Sequence, residues 1–310
     1  GRINHNKQKN ANKGSFPHGG AGRILSLQKK IQKSFERKQS RMDQNRMPLV
    51  EALQQFREEA PAYFRIPGHR FERGLDETLN GASLAAYDLS EAEGLDDLHH
   101  AEGVIAEAQK LAAETWKAKK TFFLVNGTTC GNEAMVLSSV KEGEKIIVPR
   151  NVHKSVLMGL ILSGATPVYV MPEYSTKWQM WGGVTPETIE KAFAETPDAK
   201  AVLLVSPTYY GLCSDLQAIA EICHCHNAAL LVDEAHGSHL YFSEQLPLGA
   251  LESGADACAQ SIHKTAGSFT QSSFLSLGSG RLDEARVAAN LQMVPVSYTH
   301  LRAHETSLHL

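Results

Sequence analysis

The sequence predicts an open, doubly wound α/β sheet, mostly parallel, with helices on both faces. Three observations carry this. From residue 121 onward, short strand-like runs alternate with helical stretches, the pattern of successive β-α-β units. The runs Ala201–Ser206, Ala228–Asp233 and Asp256–Gln260 are nearly continuously apolar, which suits parallel strands covered on both faces. Chemistry-bearing residues (Asn126-Gly127, Ser206-Pro207, Asp233, Ser261 to Lys264) fall where those runs end, and such sheets bind ligands beyond the carboxyl ends of their strands.

Residues 1–41 hold eleven Lys and Arg against one Glu and show little apolar periodicity before Ile24. This basic arm is expected to be disordered or non-native; the alternative is a targeting or RNA-binding arm. Pro48 to Ala60 places Leu49, Leu53 and Phe56 at helical spacing, and Pro61 ends that helix. Phe64 to Arg70 reads as a short extended piece with a Pro-Gly turn. The acidic stretch Asp88 to His100 reads as a solvated loop before a helix from about Ala101 to Lys117, so residues 42–120 form an N-terminal helical segment.

The major domain is expected over residues 121–294. Strands are expected at Thr121–Asn126, Lys145–Pro149 and Pro167–Met171, with helices at Thr129–Val140 and His153–Ser163. Thr185 and Pro186 start another helix as N-cap and first-turn residue, and Ser273–Leu277 is one more candidate strand. Pro295 to Thr306 follows neither period. Its back-translation matches the reverse complement of a common transposase adapter, so residues 295–310 are expected to be a sequencing-adapter-derived tail. The competing reading is a metal-binding tail built on His300, His304 and His309.

The 310 residues are 42% apolar and 21% charged with a net charge of −3, ordinary for a globular chain. Five cysteines, an odd number without framework spacing, favour a reducing compartment. No apolar run is long enough to span a bilayer and the N-terminus lacks an apolar signal region. The expected location is the cytoplasm.

Asn126-Gly127-Thr128-Thr129-Cys130-Gly131-Asn132 leads from a strand into a helix, and its hydroxyls and N–H groups can hold a phosphate. It lacks both the GK[ST] of a Walker loop and the GxGxxG of a dinucleotide loop; a plain N-capped helix is the alternative. Asp233 ends a strand, and Lys264 lies in Ser261-Ile262-His263-Lys264-Thr265 after a later one. A lysine for an aldehyde and an acid for a ring nitrogen are the two fixed points of a pyridoxal 5'-phosphate site. His153 and His236 can stack on or border such a ring, and the hydroxyls of Ser206 to Gly211 can line it. Cys223-His224-Cys225-His226 is not read as a metal site, because neighbouring helical residues point apart and no second ligand pair has finger spacing. No metal is expected.

These motifs, with Pro67-Gly68-His69, Gly94 to His99 and His153-Lys154-Ser155, stand in an order that resembles the bacterial Orn/Lys/Arg decarboxylase family from about Pro48 to Val294. The resemblance implies an aspartate-aminotransferase-like (fold type I) major domain. It implies Lys264 as the cofactor-bonding lysine, Asp233 as partner of the ring nitrogen, His153 stacked on the ring and His236 beside it. Thr128, Thr129, Ser261 and His263 would surround the phosphate, and Lys264, His153 and Asp233 would be catalytic. The implied reaction is decarboxylation of a basic amino acid, arginine first and lysine or ornithine next, to a polyamine precursor. A homodimer or higher homo-oligomer is implied, with no nucleic-acid or membrane partner. Arg70 stands where the family often has Lys. The small domain that closes over the substrate is expected to be missing, so the chain is expected to be incomplete for activity alone. Rival readings are an aminotransferase or lyase of the same fold, or a cofactor-binding fragment without turnover.

Overall fold

The computed structural model describes residues 42–59, 87–90, 92–268 and 271–294. The readings of residues 1–41, of Pro61, of Phe64 to Arg70 and of 295–310 lie outside the described residues. The chain divides into two compact units, Gly1–Asn45 and Arg46–Leu310, and every element below belongs to the second.

Helix α1 is Pro48–Glu59. A 3-10 turn, Leu98–His100, precedes α2, Val104–Thr115. There follow β1 Lys120–Leu124, α3 Gly127–Ser139, β2 Lys145–Pro149, α4 Lys154–Ser163 and β3 Thr166–Val170. A small hairpin joins β4 Tyr174–Ser175 to β5 Met180–Trp181. The alternation resumes with α5 Pro186–Glu195, β6 Ala201–Val205, α6 Leu216–Cys225 and β7 Ala229–Asp233. A 3-10 turn Leu240–Phe242, β8 Ala257–Gln260, a one-turn α7 Ile262–Thr265, β9 Ser273–Leu277 and α8 Glu284–Met293 complete the order.

Seven strands form the main sheet in the order β1-β9-β8-β7-β6-β2-β3. Strands β3, β2, β6, β7 and β8 run parallel, while β9 runs antiparallel to both β8 and β1. The mostly parallel α/β architecture is as expected, and the strand at Ser273–Leu277 is present. Its reversal has a local cause: among its described residues the link from β8 carries only one-turn α7, too little for the crossover that a parallel neighbour requires.

Strand alternation divides the core into two layers. Ile146, Val148, Leu203, Leu231 and Ala259 face α3, α4 and α8, where Met135, Val156 and Val287 meet them. Ile147, Val202, Leu204, Leu230 and Cys258 face α5 and α6, against Ile189, Phe193, Ile219 and Cys223. Both faces are dry, which is why the strands read as continuous apolar runs, and each fully buried Leu or Ile contributes about 1.5–3 kcal/mol. The α3–α4 layer sits close to the sheet. A Cβ at Gly131 would lie 2.9 Å from Leu124 Cδ1, and one at Gly159 would lie 3.0 Å from Val136 Cβ.

The Cys223 to His226 tetrad diverges. Cys223 is buried in the core, His224 Nε2 meets Asp256 Oδ2 at 3.0 Å, and the His226 ring stacks on Phe193 at 4.3 Å. The β4–β5 hairpin and helix α8 are among the elements without a counterpart in the sequence reading. The hairpin strands are too short to show a period, and Tyr174 against Trp181 at 4.8 Å holds them together. Helix α8 is N-capped by Asp283, whose carboxylate accepts from Ala285 N and Arg286 N.

The reading of Asp88 to His100 as a solvated loop is corrected. Leu89, Ser90 and Leu95 are buried. Asp96, at φ 69°, turns its carboxylate onto the start of α2 and accepts from the backbone N–H of Asp97, Glu102, Gly103, Ile105 and Ala106. Burial raises the Asp96 pKa, but the backbone donors outweigh it and hold the carboxyl below its usual range. An acid lowered in the folded state stabilises it above the unfolded pKa, and that contribution is lost as pH falls through the folded value. Asp96→Ala removes the cap and leaves a Cβ residue at positive φ. It is expected to cost about 1–2 kcal/mol in urea unfolding at neutral pH, with a smaller difference in acid.

Candidate active site

The two acids at the end of β7 point to opposite sides of the sheet. Asp233 continues the alternation of Ala229 and Leu231 and enters the layer of α3 and α4. Its Oδ2 accepts from Asn132 Nδ2 at 2.8 Å and its Oδ1 from Ala235 N at 3.2 Å. Burial pushes the Asp233 pKa up, opposed by the Asn132 and Ala235 donors and by the nearby His153 and Lys264. Glu234 enters the other layer. Its carboxylate accepts from Ala250 N at 2.7 Å, Gln260 Nε2 at 2.8 Å and the Tyr241 hydroxyl at 2.9 Å. Burial still carries its pKa up to about 7.

Asn132 reaches a second partner, donating from Nδ2 to Ser155 Oγ at 3.0 Å. Ser155 Oγ lies 2.8 Å from His153 Nδ1. His153 is the N-cap of α4, and its Nδ1 accepts from Ser155 N at 3.3 Å. This explains why α4 begins at Lys154 and not at His153. The His153 side chain is therefore anchored at one ring nitrogen while the residue remains exposed.

Lys264 projects from α7, directly after β8, and its Nζ stands 3.2 Å from His236 Nε2. Partial burial lowers the His236 pKa, helped by the Lys264 charge and opposed by Asp233. The neutral imidazole can then accept from the Lys264 ammonium. Tyr209, highly exposed, sets its ring edge-on to His236 at 5.7 Å.

At the start of α3, Gly127 adopts φ 65°, a conformation that L side chains rarely take. The Asn126 side chain makes no capping bond, so the first-turn N–H groups of α3 are not satisfied by that side chain and present the positive end of the helix dipole. Thr128 Oγ1 and Ser261 Oγ meet at 3.2 Å across the gap between α3 and the exit of β8. Thr129 is half-buried in the same first turn. His263 Nδ1 donates to Ser272 O at 2.9 Å, a bond that does not engage its Nε2.

The donor set fits a phosphorylated pyridine aldehyde. An open helix N-terminus with two hydroxyls suits the phosphate, a primary amine suits the aldehyde, and a buried carboxylate suits a protonated ring nitrogen. The hydroxyls of Ser206 and Thr208 are less available than the sequence implied. Ser206 Oγ accepts from Ser214 N and Thr208 Oγ1 from Leu212 N, both closing their own loop. Sequence reasoning assigned no role to Asn132, Ser155 or Glu234. Asn132 and Ser155 stood inside quoted motifs, but the contacts that reveal them join α3, α4 and β7.

Residues 47–302 match the family described as Orn/Lys/Arg decarboxylase, major domain. The chain is 44% identical over 259 residues to an arginine decarboxylase of Halalkalibacterium halodurans, covering 83% of this chain and 53% of that one. It is 41% identical over 261 residues to an arginine decarboxylase of Bacillus subtilis, again covering 83% and 53%. The fold superposes on lysine decarboxylase A from Pseudomonas aeruginosa with a TM-score of 0.69 at 26% identity, covering 80% of this chain and 37% of that one. The chain thus spans about half the length of the curated relatives it matches. No helix among the described residues is long and apolar enough to cross a membrane.

The raised Glu234 pKa makes a stability test. From the ordinary value of 4.5 up to about 7, the folded chain holds a proton that the unfolded chain has released. Stability from this group therefore declines as pH rises across that window and is level above it. Glu234→Gln keeps an acceptor for Ala250 N and offers an NH₂ group to Gln260 Oε1, which is buried without a partner. Urea midpoints between pH 5 and 8 are expected to fall less for this variant than for the parent chain. Parallel curves would show that Glu234 stays ionised throughout.

Proposed function

The chain belongs to the Orn/Lys/Arg decarboxylase family, and from that premise we propose that it is the major domain of a pyridoxal 5'-phosphate-dependent carboxy-lyase acting on a basic amino acid. Arginine is the first choice of substrate, because four relatives at 41–44% identity are named arginine decarboxylases; lysine follows. The product would be a polyamine precursor. The observation that carries the reading is geometric: Lys264 Nζ stands 3.2 Å from His236 Nε2, and Asp233 is joined to His153 through Asn132 and Ser155 at the same end of the sheet.

When bound, pyridoxal phosphate supplies an aldehyde and an electron-withdrawing ring that accepts the electron pair left as CO₂ departs. The chain's own residues supply the rest. Thr128, Thr129, Ser261 and the N–H groups of α3 hold the phosphate, with His263 securing the neighbouring turn through Ser272. Lys264 Nζ would be the amine that holds the cofactor aldehyde. His236 Nε2, beside that amine, takes and returns its proton. Asp233 keeps a proton on the ring nitrogen: a buried carboxylate whose pKa is raised by desolvation is stabilised by a cationic partner. His153 would stand beside the ring and exclude water from it.

The working assembly in this reading is a cytoplasmic homodimer or larger homo-oligomer. Leu157, Met158, Ile161 and Leu162 on α4 are exposed and supply apolar surface for it. A protein that carries this major domain together with a closing domain, given pyridoxal phosphate and arginine, is expected to release CO₂ and agmatine. Lys264→Ala should lose the visible absorbance of lysine-bound cofactor and slow CO₂ release by roughly 10²-fold or more. A keto-acid product would identify an aminotransferase instead, and cofactor binding without CO₂ would leave a binding role alone.

A further inference from the structure

We propose that Asn132 is a positioning residue that sets two site groups with one amide. Its Nδ2 orients the Asp233 carboxylate and, through Ser155, holds His153 in the tautomer with Nδ1 bare and the proton on Nε2. The consequence for catalysis rests on the cofactor reading above, while the hydrogen-bond chain itself needs no cofactor.

An amide nitrogen has two hydrogens and accepts none. Asn132 Nδ2 commits one to Asp233 Oδ2 at 2.8 Å and the other to Ser155 Oγ at 3.0 Å. Turning the amide over would set its oxygen against the Asp233 carboxylate, two acceptors face to face. Ser155 Oγ already accepts, so its single hydrogen is free for His153 Nδ1 at 2.8 Å. The Ser155 backbone N–H donates to the same nitrogen at 3.3 Å. A ring nitrogen that receives two donors carries no hydrogen, and the neutral ring must hold its proton on Nε2.

Asn132, Ser155 and Asp233 are respectively 0%, 1% and 3% exposed, so water competes little for these bonds. The spacing depends on the glycines that bring α3 to the sheet and α4 to α3. A Cβ at Gly131 would meet Ala259 Cβ at 3.1 Å, and one at Gly159 would meet Glu133 Cα at 3.3 Å. With Asn132 and Ala235 fixing one lone pair on each Asp233 oxygen, the carboxylate plane is set before any ring nitrogen arrives. Loss of Asn132 would loosen the acid and the stacking imidazole together, whereas loss of Ser155 would loosen only the imidazole.

The test uses nitrogen-15 NMR on the full chain. In the cofactor-free parent, His153 is expected as the Nε2–H tautomer. Ser155→Ala and Asn132→Leu are each expected to give a tautomer mixture. With nitrogen-15-labelled pyridoxal phosphate, the ring nitrogen should be protonated in the parent and in Ser155→Ala. In Asn132→Leu it should shift toward the unprotonated value, with cofactor binding about ten-fold weaker. An Nδ1–H tautomer in the parent overturns the proposal, as does an unchanged His153 signal in both variants. Should Asn132→Leu not fold, the parent and Ser155→Ala still decide the His153 arm. If the parent binds no pyridoxal phosphate yet the His153 signals behave as stated, the cofactor reading fails and the positioning role stands.

Discussion

A strand turns successive side chains to opposite faces, and at the end of β7 that rule separates two acids. Asp233 enters the α3–α4 layer and Glu234 the α5–α6 layer. A buried carboxylate without donors costs several kcal/mol, so each must be met by hydrogen-bond donors from its own side. Asn132 and Ala235 meet Asp233; Ala250, Tyr241 and Gln260 meet Glu234. The strand end is thereby pinned to both layers. His236, two residues on, is carried to where Lys264 can reach it. A shift of one residue in β7 would exchange the environments of the two acids and dismantle both networks.

Burial of an acid is not by itself a mark of chemistry here. Asp256 is as buried as Asp233 and better supplied with donors, from His224 Nε2, Leu230 N and Ser279 Oγ. It stands immediately before β8, at the amino end of the parallel strands, and its partners link α6, β7 and the turn after β9. That arrangement pins the floor of the sheet. Asp233 differs in its place: it stands at the carboxyl end, with Lys264, His153 and His236 among its titratable neighbours. In such a fold, charge becomes usable at the end where loops leave the strands and helices present their N-terminal N–H groups.

Much of this was legible in the order of residues. Continuous apolar runs revealed β6, β7 and β8 because two dry faces leave no polar positions to break the pattern. Thr185 and Pro186 marked the start of α5, and the Thr185 hydroxyl accepts from Thr188 N as an N-cap should. The candidate residues fell at strand ends because the period changes there. Harder to read were features held by one or two long-range contacts. The β4–β5 hairpin rests on a Tyr174–Trp181 pair, and Asp96 caps α2 from several residues upstream through a positive-φ turn. Neither leaves a period in the sequence.

The sequence alone determined the α/β class, the doubly buried central strands, and the candidate groups that fall at their ends. These follow from local rules: the two-residue alternation of strands, the caps of helices, and the chemistry of lysine, aspartate and histidine. Only the tertiary structure decided that β9 runs backwards and that His263 turns to Ser272. It alone placed the Ser206 and Thr208 hydroxyls in their own loop and joined Asp233 to His153 through Asn132 and Ser155. Each of these depends on hydrogen bonds between segments far apart in the chain. Partner choice there is settled by which donors and acceptors remain after the layers have packed.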